Sequence, residues 1–144
     1  LTEKLNKIGC KLLIDILPQI FDQSIIPTNQ NKKLVTYSKK INSNMTKIDF
    51  NTDVESVINK IRAFSPKPSA WFKYKNERIK IIKASKSSQN NKPSMILNNK
   101  FHIGCLNGSI CIEKIQREGK KIMSLEEFLR GFSFNIGDKV NANI

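Results

Sequence analysis

Apolar residues recur every three or four positions at the start of the chain, as they do on one face of a helix. The pattern predicts an amphipathic helix over residues 1–21, whose apolar stripe comprises Leu5, Ile8, Leu12, Leu13, Ile16, Leu17 and Ile20. Thr2 is the expected N-cap, and Pro18 is expected to kink the helix or to end its regular part. An apolar stripe needs a cover. We therefore expect the helix either to fold back on the chain or to lack its usual partner.

The next segment, residues 22–44, shows neither a helical nor a strand period. A proline followed by a run of Asn, Gln and Lys residues indicates a linker. Its last part, 34–41, is predicted to be extended and docked through Leu34, Tyr37 and Ile41. We divide the chain into a terminal helical part at 1–30, a linker at 31–45 and one domain at 46–144.

A second helix is predicted over residues 52–64. Thr52 and Glu55 form a capping box ahead of a buried stripe that comprises Val54, Val57, Ile58, Ile61 and Phe64. Two prolines, Pro66 and Pro68, end this helix. Trp71 opens the following strand and is expected to be buried beside Phe64. An exposed Trp71 would instead be a candidate for stacking on a base.

Short strands separated by turn residues follow the second helix. They comprise a hairpin that turns at 75–77, a polar loop at 85–93, a strand at 95–97, an alternating strand at 101–105, a hairpin at Asn107-Gly108 and an edge strand at 132–140. A capping box of Ser124 and Glu127 opens a last short helix. The predicted fold class is α+β: an N-terminal helix and linker, then a small open antiparallel β-barrel, OB-like, with short flanking helices.

Positive charge is concentrated in the middle of the chain. The formal net charge is +13, and residues 56–125 hold 15 Lys and Arg residues against 3 Asp and Glu residues. A region of one sign favours polyanions, with nucleic acid ahead of a membrane surface. An AT-rich genome could also raise the Lys and Asn content, although codon bias does not explain why the excess lies in the middle. We therefore expect a nucleic-acid-binding module.

Residues able to carry catalysis or to hold a metal are sparse. His102, the only histidine, is out of phase with the apolar residues of its strand and is expected at the surface. Three cysteines without a C-x-x-C pair argue against a disulfide framework and for a reducing compartment. Cys105 and Cys111 are expected to face each other across their hairpin as small buried hydrophobes. The sequence shows no metal site, no nucleotide-binding loop and no apolar run long enough to span a membrane.

Two long motifs carry a specific resemblance to a known family. RAFSPKPSAWF at 62–72, followed by IKIIKA at 79–84, and IQREGKKIMSLEEFLRG at 115–131 closely resemble the C-terminal region of methionyl-tRNA formyltransferases. TYSKKI at 36–41 fits the same pattern. The opening helix resembles the last helix of the family's Rossmann-like catalytic domain, and the sequence does not begin with Met. We therefore expect the chain to be a fragment.

The resemblance implies a binding role without catalysis in this chain. The family transfers a formyl group from 10-formyltetrahydrofolate to the methionine of charged initiator tRNA, with an Asn, a His and an Asp of the Rossmann-like domain. None of those motifs is present. The resemblance therefore implies no catalytic residue, metal or cofactor here, and leaves open whether the chain has activity. The same C-terminal domain also occurs in formyltransferases that act on nucleotide sugars or folate, which would not need the excess of charge.

The implied partner is initiator methionyl-tRNA, and the expected location is the cytoplasm. The chain is expected to be a monomer, with self-association through the opening helix as the alternative. The basic residues expected to bind the tRNA are Lys39, Lys40, Arg62, Lys67, Lys73, Lys75, Arg78, Lys80, Lys83, Lys120 and Lys121. Two alternatives are a non-catalytic remnant and a general nucleic-acid-binding OB-like module.

Overall fold

The structure, a computed structural model, describes residues 1–88 and 92–141, and the chain divides into two units, Leu1–Lys39 and Lys40–Ile144. The middle of the polar loop predicted at 85–93 therefore lies outside the described residues. The first unit holds one long helix, α1 (Thr2–Phe21), and a short 3-10 turn at Lys32–Leu34.

The predicted N-cap of α1 needs a correction, whereas its predicted end at residue 21 is confirmed. Leu1 is the N-cap and no side chain caps it, so the expected cap at Thr2 is wrong. Pro18 lies inside the helix, which continues to Phe21. The Pro18 carbonyl still accepts the Asp22 N–H at 2.9 Å, since proline lacks only its own donor. None of the α1 residues is buried.

Two helices begin the second unit: α2 (Ser43–Thr46) and α3 (Val54–Phe64). The Asp53 carboxylate caps α3 by accepting the Ser56 N–H at 2.9 Å. The predicted capping box is wrong, because Thr52 Oγ1 donates to the Asp49 carbonyl instead. The apolar stripe is confirmed at its four buried members, Val54, Val57, Ile58 and Ile61.

Five antiparallel strands form one sheet in the order β1-β2-β4-β3, with β5 paired to β4. They are β1 (Ala70–Tyr74), β2 (Glu77–Ser87), β3 (Ile103–Cys105), β4 (Gly108–Arg117) and β5 (Met123–Ser124). Within the described ranges β1 and β3 lie at opposite edges and do not pair, so the sheet is open. A last helix, α4 (Leu125–Arg130), has the predicted capping box of Ser124 and Glu127. The α+β class with an open antiparallel sheet is confirmed.

Both hairpins form, but the second turns one residue earlier than predicted. Lys75 and Asn76 make the first turn with φ of 45° and 64°, the left-handed values of a two-residue hairpin. In the second hairpin Cys105 pairs with Gly108. The Asn107 side chain is therefore in the turn and accepts the Val54 N–H at 2.9 Å, which ties this hairpin to α3. Cys111 pairs with a β2 residue, so the two cysteines do not face each other.

The predicted strands at 95–97 and 132–140 are reduced to isolated bridges. Met95 pairs with Lys139 and Ile96 pairs with Ile103. The segment 92–97 instead covers β3: the Ser94 N–H donates to the Gly104 carbonyl and the Gly104 N–H to the Met95 carbonyl. The strand β2 also runs to Ser87, three residues into the predicted loop.

This cover buries both faces of 101–105, where alternation predicted one exposed face. His102 is 9% exposed, so its expected place at the surface is wrong. Its burial, and then the nearby positive Lys100, lower the pKa of the imidazole. Phe101 is fully buried at the centre of an aromatic cluster with Phe72, Tyr74, Phe128, Phe132 and Phe134.

The close approach at Gly104 gives a stability test. A Cβ at this position would clash with the Lys92 carbonyl oxygen, whereas a Cβ at Gly131 meets nothing within 4 Å. We expect Gly104→Ala to lower the free energy of unfolding by about 1–3 kcal/mol, as overpacking does. The control Gly131→Ala should change it by less than about 0.5 kcal/mol. Urea denaturation measures both, and equal effects would contradict the described cover.

Candidate nucleic-acid interface

The first hairpin separates a core face from a basic face. Successive side chains of a strand point to opposite sides of the sheet. Cross-strand register pairs Trp71 with Lys80 and Lys73 with Arg78. These four residues therefore share one face, which we call the basic face. The opposite face is buried in the core and comprises Ala70, Phe72, Tyr74, Ile79 and Ile81.

Trp71 anchors the basic face beneath an arginine. Trp71 is 8% exposed, which confirms the predicted burial. The groups found at the ring belong to Arg78, Lys47 and Ser43, and its expected place beside Phe64 stays a prediction. The Arg78 guanidinium lies 4.2 Å from the ring centroid, and the indole Nε1–H donates to the Ser43 carbonyl at 2.9 Å. A stacked guanidinium keeps a defined orientation, so Arg78 is held in place over the ring.

Lys75 leaves the basic face because it lies in the hairpin turn. Its ammonium lies 5.1 Å from the centroid of Tyr74, a core-face residue, whereas a continued strand would place it on the side of Lys73. Tyr74 in turn donates its hydroxyl to Asp138. This hydrogen bond lowers the pKa of the Asp138 carboxyl.

The loop after β4 brings further lysine to the basic face. Gln116 pairs with Lys80 across the strands, and its side-chain amide donates to the Lys120 carbonyl at 2.7 Å. The Lys120 N–H donates to the Arg117 carbonyl at 3.1 Å, closing a turn in which Gly119 has a φ of 70°. This left-handed backbone suits glycine. The Lys120 backbone is therefore held by Gln116, the cross-strand neighbour of Lys80, and exposed Lys121 follows it.

Two lysines further along β2 are paired with carboxylates. Lys83 lies 2.7 Å from Glu113, and Lys86 lies 2.8 Å from Glu55. The hydrogen bond from Lys83 lowers the pKa of Glu113. This pair therefore persists at neutral pH and is lost as acid protonates Glu113.

Arg117 forms a two-point pair with Glu77, with N–O distances of 2.6 and 3.0 Å. In the described part of the chain, by contrast, no carboxylate forms an ion pair with Lys73, Arg78 or Lys80. The cations of the hairpin that form no ion pair with a described carboxylate are therefore concentrated on the basic face.

The remaining predicted residues are exposed at other places. Arg62 lies in the last turn of α3, and Lys67 lies between Pro66 and Pro68. Lys40 begins the second unit, whereas Lys39 belongs to the first.

Sequence reasoning missed Gln116, which anchors the loop, and Lys47, whose ammonium lies 6.0 Å from the Trp71 ring centroid. Only the cross-strand register could have indicated Gln116. Lys47 carries no signal in the sequence, because its approach to Trp71 depends on the tertiary fold.

The described residues contain no group of three or more His, Cys, Asp or Glu side chains that could hold a metal ion. None of the described helices is long and apolar enough to cross a membrane.

Comparison with known proteins defines the class. The family model described as "Formyl transferase, C-terminal domain" matches residues 40–133, and the chain belongs to this family. It is similar to the methionyl-tRNA formyltransferases of Rickettsia bellii (36% identity, 97% of this chain and 46% of the relative) and Dictyoglomus turgidum (35%, 96% and 47%). The resemblance drawn from the two long motifs is confirmed. The chain spans less than half the length of these relatives.

Solved structures agree on the fold. HypX from Aquifex aeolicus matches 87% of this chain and 24% of its own, with a TM-score of 0.66 at 19% identity. HypX in complex with tetrahydrofolic acid matches 92% of this chain and 26% of its own, with a TM-score of 0.65 at 18% identity. At these identities the likeness concerns the fold.

The stacking of Arg78 on Trp71 can be tested by fluorescence, because Trp71 is the only tryptophan. We expect Arg78→Ala to shift the emission maximum to the red and to increase quenching by acrylamide, since the arginine side chain covers the ring. Lys75→Ala removes one charge from the same hairpin without uncovering Trp71, so its emission should match the wild type. An unchanged spectrum for Arg78→Ala would show that another group covers the ring.

Proposed function

We propose that this chain is the C-terminal, tRNA-binding part of a methionyl-tRNA formyltransferase and acts on initiator methionyl-tRNA in the cytoplasm. The observation that carries the proposal is the basic face, whose Lys73, Arg78 and Lys80 form no ion pair with a described carboxylate. The family assignment supports it, since the relatives are methionyl-tRNA formyltransferases. The open sheet is also compatible with an OB-like barrel, a fold that binds oligonucleotides across one sheet face.

Each group of the basic face has a distinct part in this proposal. Lys73 and Lys80 neutralise phosphates as mobile point charges, which supplies affinity without reading sequence. Arg78 offers a planar fork of donors that suits two phosphate oxygens at once. Because Trp71 holds the guanidinium in place, binding restricts fewer side-chain rotamers. The face therefore grips and orients the tRNA.

We assign neither formyl transfer nor folate binding to residues of this chain. His102, the only histidine, is buried, and burial lowers the pKa of its imidazole. A general base must reach the proton that it removes, and this ring lies under the segment that covers β3. In the full-length family enzyme 10-formyltetrahydrofolate would supply the formyl group. The described residues would hold the tRNA while that transfer occurs.

A salt series distinguishes gripping residues from paired ones. We expect the wild-type chain to bind tRNA with an affinity that falls steeply with salt, at a log–log slope of about −0.7 to −0.9 per neutralised phosphate. Lys73→Gln/Lys80→Gln should reduce the magnitude of this slope by roughly one to two. The control Lys83→Gln/Lys86→Gln removes the same charge from the same strand region but from existing ion pairs. Its slope should stay close to the wild-type value.

Filter retention measures this binding across the salt series, for initiator tRNA and for elongator tRNA. The loss should be similar for both, because phosphate contacts position the tRNA and do not specify it. A wild-type affinity that is independent of salt would contradict the proposal and favour a non-catalytic remnant. Equal losses for the face variant and its control would show that general charge, and not the basic face, carries the binding.

A further inference from the structure

A polar cleft lies along the outer edge of β1, next to the basic face. Its volume is about 650 Å³, within the usual range for pockets that hold small molecules. The side chains that give it its chemistry are three lysines and three asparagines, namely Lys47, Lys60, Lys139, Asn44, Asn51 and Asn141. Ammonium and amide groups are donors for phosphate, ribose and base edges.

The floor of the cleft is a hydrogen-bonded edge. The Ile48 N–H donates to the Trp71 carbonyl at 2.8 Å, so the segment before α3 pairs with β1. Asn141 exchanges hydrogen bonds with the Lys73 backbone, and its side-chain amide donates to the Ile48 carbonyl at 2.8 Å. Two segments distant in sequence are therefore fixed against one strand. The cleft is pre-formed, which lowers the cost of binding.

The charge of the cleft is positive. Among the described lining residues the one carboxylate, Asp49, already accepts the backbone and side-chain N–H groups of Asn51 at 2.9 and 3.1 Å. The Lys60 ammonium donates to the Lys47 carbonyl at 3.1 Å, which leaves it further N–H groups for a ligand. Within the described ranges, Lys47 and Lys139 form no ion pair and are exposed. An anionic ligand in the cleft could therefore bind ammonium groups that have no carboxylate partner among the described residues.

The cleft is continuous with the basic face across β1. Lys47 belongs to the cleft, and its ammonium lies 6.0 Å from the Trp71 ring of the basic face. Lys73 belongs to the basic face, and its backbone is bonded to Asn141 of the cleft. We infer that a single RNA strand crosses the edge of β1 and enters this cleft, with its phosphates at Lys47, Lys60 and Lys139. The inference rests on the proposed function and extends the tRNA contact beyond the basic face.

The test compares three double variants with equal loss of charge. Lys47→Gln/Lys139→Gln changes two exposed cleft lysines and avoids Lys60, whose ammonium supports the floor. Lys73→Gln/Lys80→Gln tests the basic face, and Lys83→Gln/Lys86→Gln is the control. We expect the cleft variant to reduce the magnitude of the salt slope for tRNA binding by roughly one to two, with the control near wild type. A cleft variant that matches the control, while the face variant loses slope, overturns this inference and leaves the proposed function standing.

A second measurement uses the unmodified chain and does not depend on how the variants fold. A six-nucleotide single-stranded RNA should shift the backbone amide resonances of Ile48 and Asn141, while inorganic phosphate at the same ionic strength should not. Equal shifts with phosphate would overturn the RNA-strand inference and indicate a general anion site. An absence of shifts with RNA would overturn it as well. If the wild-type chain shows no salt-dependent tRNA binding at all, both the proposed function and this inference fail.

Discussion

The register of the β1–β2 hairpin decides which side chains enter the core and which meet solvent. The two-residue turn at Lys75 and Asn76 sets Tyr74 opposite Glu77, and every later pair follows from it. A slip by one residue would move the whole apolar set to the solvent face. It would also bury the lysines that now form the basic face. The aromatic core and the basic face therefore depend on the same turn.

Because β1 lies at the edge of the sheet, its outer backbone groups also need a cover. An edge strand exposes unpaired backbone groups that favour aggregation unless they are covered. Here Ile48 and Asn141 cover them through hydrogen bonds. The same cover forms the floor of a lysine-lined cleft, so one arrangement both protects the edge and extends the positive surface. The tryptophan at this edge is covered by Arg78, which links the stability of the strand to the presentation of a cation.

Alternation and spacing were sufficient to predict the parts of the fold that depend on local sequence. The α3 stripe, the first hairpin, the α4 capping box and the burial of Trp71 follow from neighbouring residues and agree with the structure. Apart from the two local caps expected at Thr2 and Thr52, predictions failed where distant segments intervene. His102 is buried because residues 92–97 cover β3, and the second turn starts earlier because Asn107 bonds to α3.

The candidate site likewise has features that local sequence predicts and features that depend on the tertiary fold. Strand parity indicated that Arg78 and Lys80 share a face, and charge counting indicated a polyanion. Neither could show that Lys83 is paired with Glu113, since a bulge between Ile81 and Ala84 sets that contact. The cleft left no sequence signal, because Lys47, Lys60 and Lys139 are brought together only by the tertiary fold.

Hydrogen–deuterium exchange with and without initiator methionyl-tRNA tests the central claim most directly, because it maps contact along the backbone without any substitution. We expect slower exchange after tRNA addition in β1, β2 and the loop at 117–121, where the basic face and its neighbouring lysines lie. The turn at Leu106 and Asn107, which belongs to the β3–β4 hairpin at the far edge of the sheet, should be unaffected. Protection at that turn without protection at the β1–β2 hairpin would contradict the assignment of the tRNA-binding surface.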